Sequence, residues 1–110
     1  MSSLNKLFSM AVQKRDNHTC RITGNPSTEV HHIILKSESK LLRWDMDNAI
    51  AISRKPHDLI HKVGCLATTE HAHSLVDYDY LLERKHVLAV GANRIDEKEI
   101  EKRLKDYLTE

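Results

Sequence analysis

The strongest constraint on this 110-residue chain lies between Glu29 and Gly64. Val30, Ile33 and Ile34 make residues 29–35 rich in β-branched side chains, which predicts a strand. Residues 36–47 are polar with Leu41, Leu42 and Trp44 embedded, which predicts a loop partly tucked into the core. Residues 49–52 form a second short apolar run, again strand-like. Ser53 stands where a cap belongs, before a helix over about 54–62. Pro56 falls in the first turn of that helix, where a missing N–H costs little, and Gly64 is a fitting stop. Strand, loop, short strand and helix in that order predict an α+β architecture.

The flanks read as mostly helical. Leu4, Leu7, Phe8, Ala11 and Val12 recur at helical spacing over 4–14, with Ser2 or Ser3 as candidate caps. Residues 18–22 suit a short strand, and Gly24-Asn25-Pro26-Ser27 is a turn signal. Residues 77–86 suit a helix, and Gly91-Ala92-Asn93 breaks the chain. Asp96 with Glu99 three residues on resembles a capping box, and Ile100, Leu104, Tyr107 and Leu108 then form one apolar stripe. Leu7, Phe8, Val12, Ile50, Ile52, Leu59 and Ile60 are the expected core.

Composition narrows the class. With 40% apolar and 30% charged residues, the chain is neither a disordered tail nor a low-complexity linker. No apolar run approaches the ~18 residues of a membrane span, and the N-terminus shows no secretory signal. Cys20 and Cys65 are too few for a disulfide framework or a four-cysteine zinc site. A cytoplasmic protein without membrane association is the expectation. Five aromatic residues (Phe8, Trp44, Tyr78, Tyr80 and Tyr107) argue against a stacking platform for single strands. The net charge is only +1, but residues 1–62 carry +4 and residues 63–110 carry −3. A polyanion is therefore drawn to the first half and repelled from the second.

Eight histidines are the unusual entry in this composition, and their spacing gives them meaning. His31 and His32 are adjacent on the first strand, so their side chains point to opposite faces and suit two different tasks. His57 and His61 stand four apart on a helix, one above the other, where two imidazoles can bind one ion. A strand histidine facing that helix supplies a third ligand, and three protein ligands leave room for water and substrate. Each feature has a bland reading: a His-His pair is commonly decoration, and Asn48 alone is a turn residue.

Taken together, four segments carry a resemblance. Cys20-Arg21-Ile22-Thr23-Gly24, Val30-His31-His32-Ile33, Trp44-Asp45-Met46-Asp47-Asn48-Ala49-Ile50 and His57-Asp58-Leu59-Ile60-His61 resemble an HNH endonuclease of the ββα-metal fold. His32, Asn48 and His57 supply the three letters, and the likeness spans about 12–63. It implies a ββα-metal HNH core; with the helical flanks read above, the expectation is one HNH domain over 1–110, with an N-terminal helix and a helical C-terminal extension over about 64–110. It implies hydrolysis of DNA phosphodiester bonds to 5′-phosphate and 3′-hydroxyl ends, by cleavage or nicking.

The same resemblance implies roles. His31, His57 and His61 look like ligands of one divalent ion (Mg, Mn, Ni or Zn), as in colicin-type DNases. His32 looks like the general base, and Asn48 like the residue that holds His32 in orientation. Glu29-Val30-His31-His32 is similar to the Glu-x-His-His of those DNases, so Glu29 is expected either to orient a basic partner near the phosphate or to face solvent. Arg43, Arg54, Lys36 and Lys55 flank the motif as candidate contacts to the phosphates of double-stranded DNA, or as ordinary solvated residues. The paired Cys-x-x-Cys motifs of many HNH enzymes are absent, so apolar packing must hold the core, with Cys20 and Cys65 as small buried side chains. His71-x-His73 reads as a polar loop, and His18 and His86 have no assigned role.

Two other readings stand beside this one. One is a nucleic-acid-binding module with a structural or degenerate metal site. The other is an interaction protein that docks a partner, or a second copy, through the C-terminal helices. By association, a nuclease this small suits a bacteriophage or mobile element.

Overall fold

A computed structural model of the protein describes residues 3–90 and 96–110, with side chains described over 4–86 and 96–110. It mixes helix with a small sheet. Helix α1 runs Ser3–Arg15, strands β1 and β2 run Glu29–His32 and Ala49–Ile52, and α2 runs Arg54–Asp58. Helices α3 (Leu66–Ser74), α4 (Tyr78–Val90) and α5 (Glu97–Thr109) follow. The strands pair antiparallel, with Glu29 opposite Ile52 and His32 opposite Ala49. No helix among the described residues is long and apolar enough to cross a membrane.

Helix α1 buries Leu4, Phe8, Ala11 and Val12, a stripe spaced by one and two turns. It ends where Asn17 and His18 take positive φ, with the His18 N–H returning to the Gln13 carbonyl. That reversal explains why residues 18–22 are not a strand. The Cys20 N–H bonds to Asn25 O, the Gly24 N–H bonds to Cys20 O, and only Thr19 opposite Pro26 forms a bridge. The tight turn lies on the outer edge of β2. There the Ala51 N–H donates to Asp16, the Arg21 N–H donates to Ala51 O, and the Arg15 guanidinium donates to Ala49 O. Side chains and the turn thus satisfy an edge that two strands alone leave open.

The first strand is shorter than the β-branched run suggests, ending at His32 rather than at 35. The Ile33 N–H still reaches Asn48 O, but the Ile34 N–H goes to the Asn48 side chain. The tucked loop closes in two 3₁₀ turns, Leu42–Trp44 and Met46–Asn48, with Leu42 and Asn48 fully buried. Ser53 has the extended backbone of a cap but makes no side-chain capping bond. The helix expected over 54–62 is α2 continued by a wider π-type turn, Leu59–Val63, which Gly64 ends in a left-handed conformation at φ 69°.

The strand period divides the core. Ala49 and Ala51 face α1 with Phe8 and Val12, while Ile50 packs with Ile33, Ile34, Leu42 and Leu81 on the other side. Alanine at two positions of β2 lets α1 lie close against the sheet. Of the expected core, Phe8, Val12, Ile50 and Ile52 are buried, whereas Leu7, Leu59 and Ile60 are half-buried. The α5 stripe packs on α1: Leu104 is buried with Phe8 and Val12, and Ile100, Tyr107 and Leu108 rest against them. Lys14 caps the end of α5 through the carbonyls of Tyr107 and Glu110. Asp96 accepts the Glu99 N–H at the start of α5, as the capping pattern predicts. Residues 71 and 73 lie on α3, not in a loop, because 66–74 winds as one helix with Ala72 buried. Cys20 is buried and Cys65 half-buried. The expected Ser2 cap and the break at 91–93 lie outside the described residues.

Candidate metal centre and adjoining cleft

Alternation along β1 sends residues 29 and 31 to one face and residues 30 and 32 to the other. On the first face, His31 meets the two histidines carried by α2 and the π-type turn. Ring centroids of His31 and His57 are 5.4 Å apart, His31 and His61 5.1 Å, and His57 and His61 4.8 Å. One ring nitrogen from each lies within 4.8 Å of the other two. His31 is buried, His57 half-buried and His61 exposed, so the cluster opens to solvent on the helical side.

The donor set fits a metal ion. His31 Nδ1 and His61 Nε2 are 3.2 Å apart. Two nitrogens sharing one tetrahedral ion at ~2.1 Å each lie roughly 3.4 Å apart. Glu29 Oε1 accepts the Nδ1–H of His57 at 2.7 Å, leaving Nε2 as the ligand atom. Burial pushes the His31 imidazole down to about 3, and the neighbouring His57, His61, His32 and His73 add to the shift. Burial, then His57, also lowers His61. Both rings are therefore biased toward the neutral form that ligates.

His32 faces the opposite way. Its ring stacks on Phe8 of α1 at 5.2 Å, and its Nε2 donates to the Arg43 carbonyl at 2.9 Å. The carbonyl can only accept, so the proton sits on Nε2 and Nδ1 carries the lone pair. Burial lowers His32 to about 4, against the raising effect of that carbonyl and with help from Lys36 and Arg43.

Asn48 ties the backbone around this histidine. Its Oδ1 accepts the Ile34 N–H at 2.7 Å, and its Nδ2 donates to Ile34 O at 2.9 Å and to Leu42 O at 3.2 Å. The side chain is fully buried, so each bond is made away from water. It fixes both the exit of β1 and the turn that leads to Arg43.

The four flanking cations differ. Lys36, Arg54 and Lys55 are exposed. Arg54 sits 3.8 Å from both Glu29 and Asp58. Arg43 is half-buried, bonded to Asn5 and laid over the Trp44 ring at 4.7 Å, so it braces the α1 side of the site. A cleft of about 360 Å³ runs between α1 and β1 and is lined by His32, His57 and Lys36 among others. His73 stacks on Tyr78 and is not one of the three clustered imidazoles, and His18 and His86 are exposed. The support from Phe8 escapes sequence reasoning, which reads Phe8 only as core. The Glu29–His57 bond has one local signal, the Glu-x-His spacing that sets Glu29 on the same strand face as His31.

Comparisons with known protein families, with characterised proteins and with solved structures find no match to this chain.

Proposed function

We propose that the protein is a metal-dependent endonuclease of the HNH type, with a ββα-metal core, that hydrolyses DNA phosphodiester bonds. The observation that carries this reading is the division of labour along β1. His31 joins His57 and His61 on one face, while His32, the next residue, faces the other with Nε2 bonded to the Arg43 carbonyl.

His31, His57 and His61 would hold the divalent ion, and an all-imidazole set suits nickel or zinc better than magnesium. When bound, such an ion supplies positive charge to the phosphate and to the departing 3′ oxygen. The remaining chemistry falls to the chain. His32 takes a proton from the attacking water at Nδ1, because Nε2 is held by Arg43 O. As the water oxygen bonds to phosphorus, the P–O3′ bond breaks and the departing O3′ takes a proton from solvent, leaving a 5′-phosphate and a 3′-hydroxyl. Phe8 and Asn48 keep the imidazole in place, one through its ring and the other through the backbone. Arg54 and Lys55, both exposed on α2, would meet neighbouring phosphates.

The test is relaxation of supercoiled plasmid with magnesium, manganese, nickel or zinc. Wild type is expected to nick or cut, His32→Ala to lose activity while still binding metal, and His57→Ala to lose metal affinity. Full activity in His32→Ala would overturn the assignment of the base. DNA binding with no cleavage under any metal would replace the nuclease by a binding module.

A further inference from the structure

The nuclease reading leaves open how the DNA strand is held beside the catalytic histidine, and the cleft between α1 and β1 answers it. Phe8 and Ser9 form one wall, and Thr28, Val30 and His32 form the other. His57 also lines it, so the cleft reaches both the base and a metal ligand. Its volume of about 360 Å³ falls within the roughly 300–1,000 Å³ of sites that enclose one small-molecule-sized unit. In a polynucleotide that unit is a single nucleotide.

The lining chemistry suits sugar and phosphate. Lys36 is exposed at the cleft and, among the described residues, makes no ion pair. Ser9 and Thr28 bring hydroxyls, which donate to or accept from phosphate and sugar oxygens. Half-buried Val30 gives an apolar surface for a deoxyribose. Glu29 is the acidic group of the cleft, and its charge is met by the His57 N–H and by Arg54. It therefore repels an incoming phosphate less than a bare carboxylate would.

We infer that this cleft is the substrate-strand groove, in which Ser9, Thr28 and Lys36 grip the nucleotide adjoining the scissile phosphate and α1 serves as its outer wall. The inference rests on the nuclease reading. It makes α1 a substrate-binding element as well as core, and it makes the grip independent of base sequence, because hydroxyls and an ammonium bind the backbone.

The experiment is steady-state cleavage of a labelled 20-base-pair DNA duplex by wild type, Ser9→Tyr and Lys36→Glu, with zinc or nickel titration and thermal melting of each protein. Ser9→Tyr fills the cleft from the α1 side and is expected to raise KM by about tenfold or more, with metal affinity unchanged. Lys36→Glu is an exposed change; it should raise KM several-fold and make the salt dependence of binding shallower by about one unit of log–log slope. If Ser9→Tyr fails to fold, Lys36→Glu decides. Wild-type KM and salt dependence in folded, metal-binding variants would overturn the groove while leaving the nuclease reading intact. Absence of DNA cleavage and binding by wild type with every metal would remove both.

Discussion

The Glu29 carboxylate accepts the Nδ1–H of His57 at 2.7 Å, and this one contact decides which nitrogen of His57 is left for an ion. Strand register makes it available: residues 29 and 31 share a face of β1, so the strand that delivers His31 also delivers the carboxylate that aims His57.

Removing that carboxylate should therefore loosen the metal rather than the fold. Glu29→Ala is expected to lower zinc or nickel affinity about 10–100-fold, the usual effect of losing such a supporting group. Glu29→Gln should lose less, because its amide oxygen still accepts the His57 N–H. Isothermal titration at pH 7 separates the two. Wild-type affinity in Glu29→Ala would mean that His57 is oriented by packing alone.

Asn48→Ala should damage the fold most among the site substitutions. It strands the Ile34 N–H and the carbonyls of Ile34 and Leu42 in a dry interior. A buried polar group left unpaired costs about 1–3 kcal/mol, so the total is on the order of 3 kcal/mol after partial relaxation. For a domain of this size that lowers Tm by roughly 10–15 °C. Asn48→Asp should be no better, because it keeps the bond from the Ile34 N–H but sets an anion against two carbonyl oxygens. Thermal melts of the two variants beside wild type check both statements.

Much of this architecture is legible in the sequence, and the parts that are not share a cause. The α1 stripe, the Ala-Ile-Ala-Ile strand, Gly64 as a stop and Asp96 as a cap are local signals, and local physics honours them. The early end of β1 is not local: the Asn48 side chain takes the Ile34 N–H that a longer strand would have given to its neighbour. Nor is the turn at 20–24, set by positive φ at Asn17 and His18 and by docking on Ala51 O. Helix α3 is nearly featureless by periodicity, with only Ala72 buried, so its two histidines read as loop. At the candidate site, spacing groups His57 with His61 and separates His31 from His32. It says nothing of Phe8 beneath His32, because that contact exists only once α1 lies on the sheet.

The edge of β2 carries an acid-sensitive element. The Asp16 side chain is shielded from solvent although the residue is half-buried, and this by itself raises its carboxyl pKa. Bonds from Arg15 and the Ala51 N–H, with the charges of Arg15 and Arg21, outweigh this and hold it below the ordinary 3.8. A carboxyl depressed in the folded state contributes stability that is present above the unfolded value and lost as pH falls through the folded one. Wild type should thus lose stability as pH drops below about 3.8, and Asp16→Asn should lose less over that window while being weaker at pH 7. Urea denaturation at pH 7 and at several points below pH 4 measures it. Parallel curves for the two proteins would show that Asp16 contributes no linkage.

Stability and site geometry should come apart along the path from α5 through α1 to His32. Leu104 is buried against the α1 residues Phe8 and Val12, remote in sequence from the histidines. Leu104→Ala leaves a cavity there and should cost about 2–5 kcal/mol, seen as a lower Tm. Well below that Tm the imidazole still rests on Phe8, so kcat should hold. Phe8→Leu is the converse. It keeps most of the volume but removes the ring stacked on His32 at 5.2 Å, a contact worth about 1 kcal/mol. Its melting temperature should fall less than that of Leu104→Ala. Its kcat should drop several-fold at unchanged metal affinity, because His32 gains freedom about the single bond from Nε2 to Arg43 O. Steady-state cleavage and metal titration of both variants test the separation. Equal kcat in Phe8→Leu and wild type would assign the orientation of His32 to the Arg43 carbonyl alone.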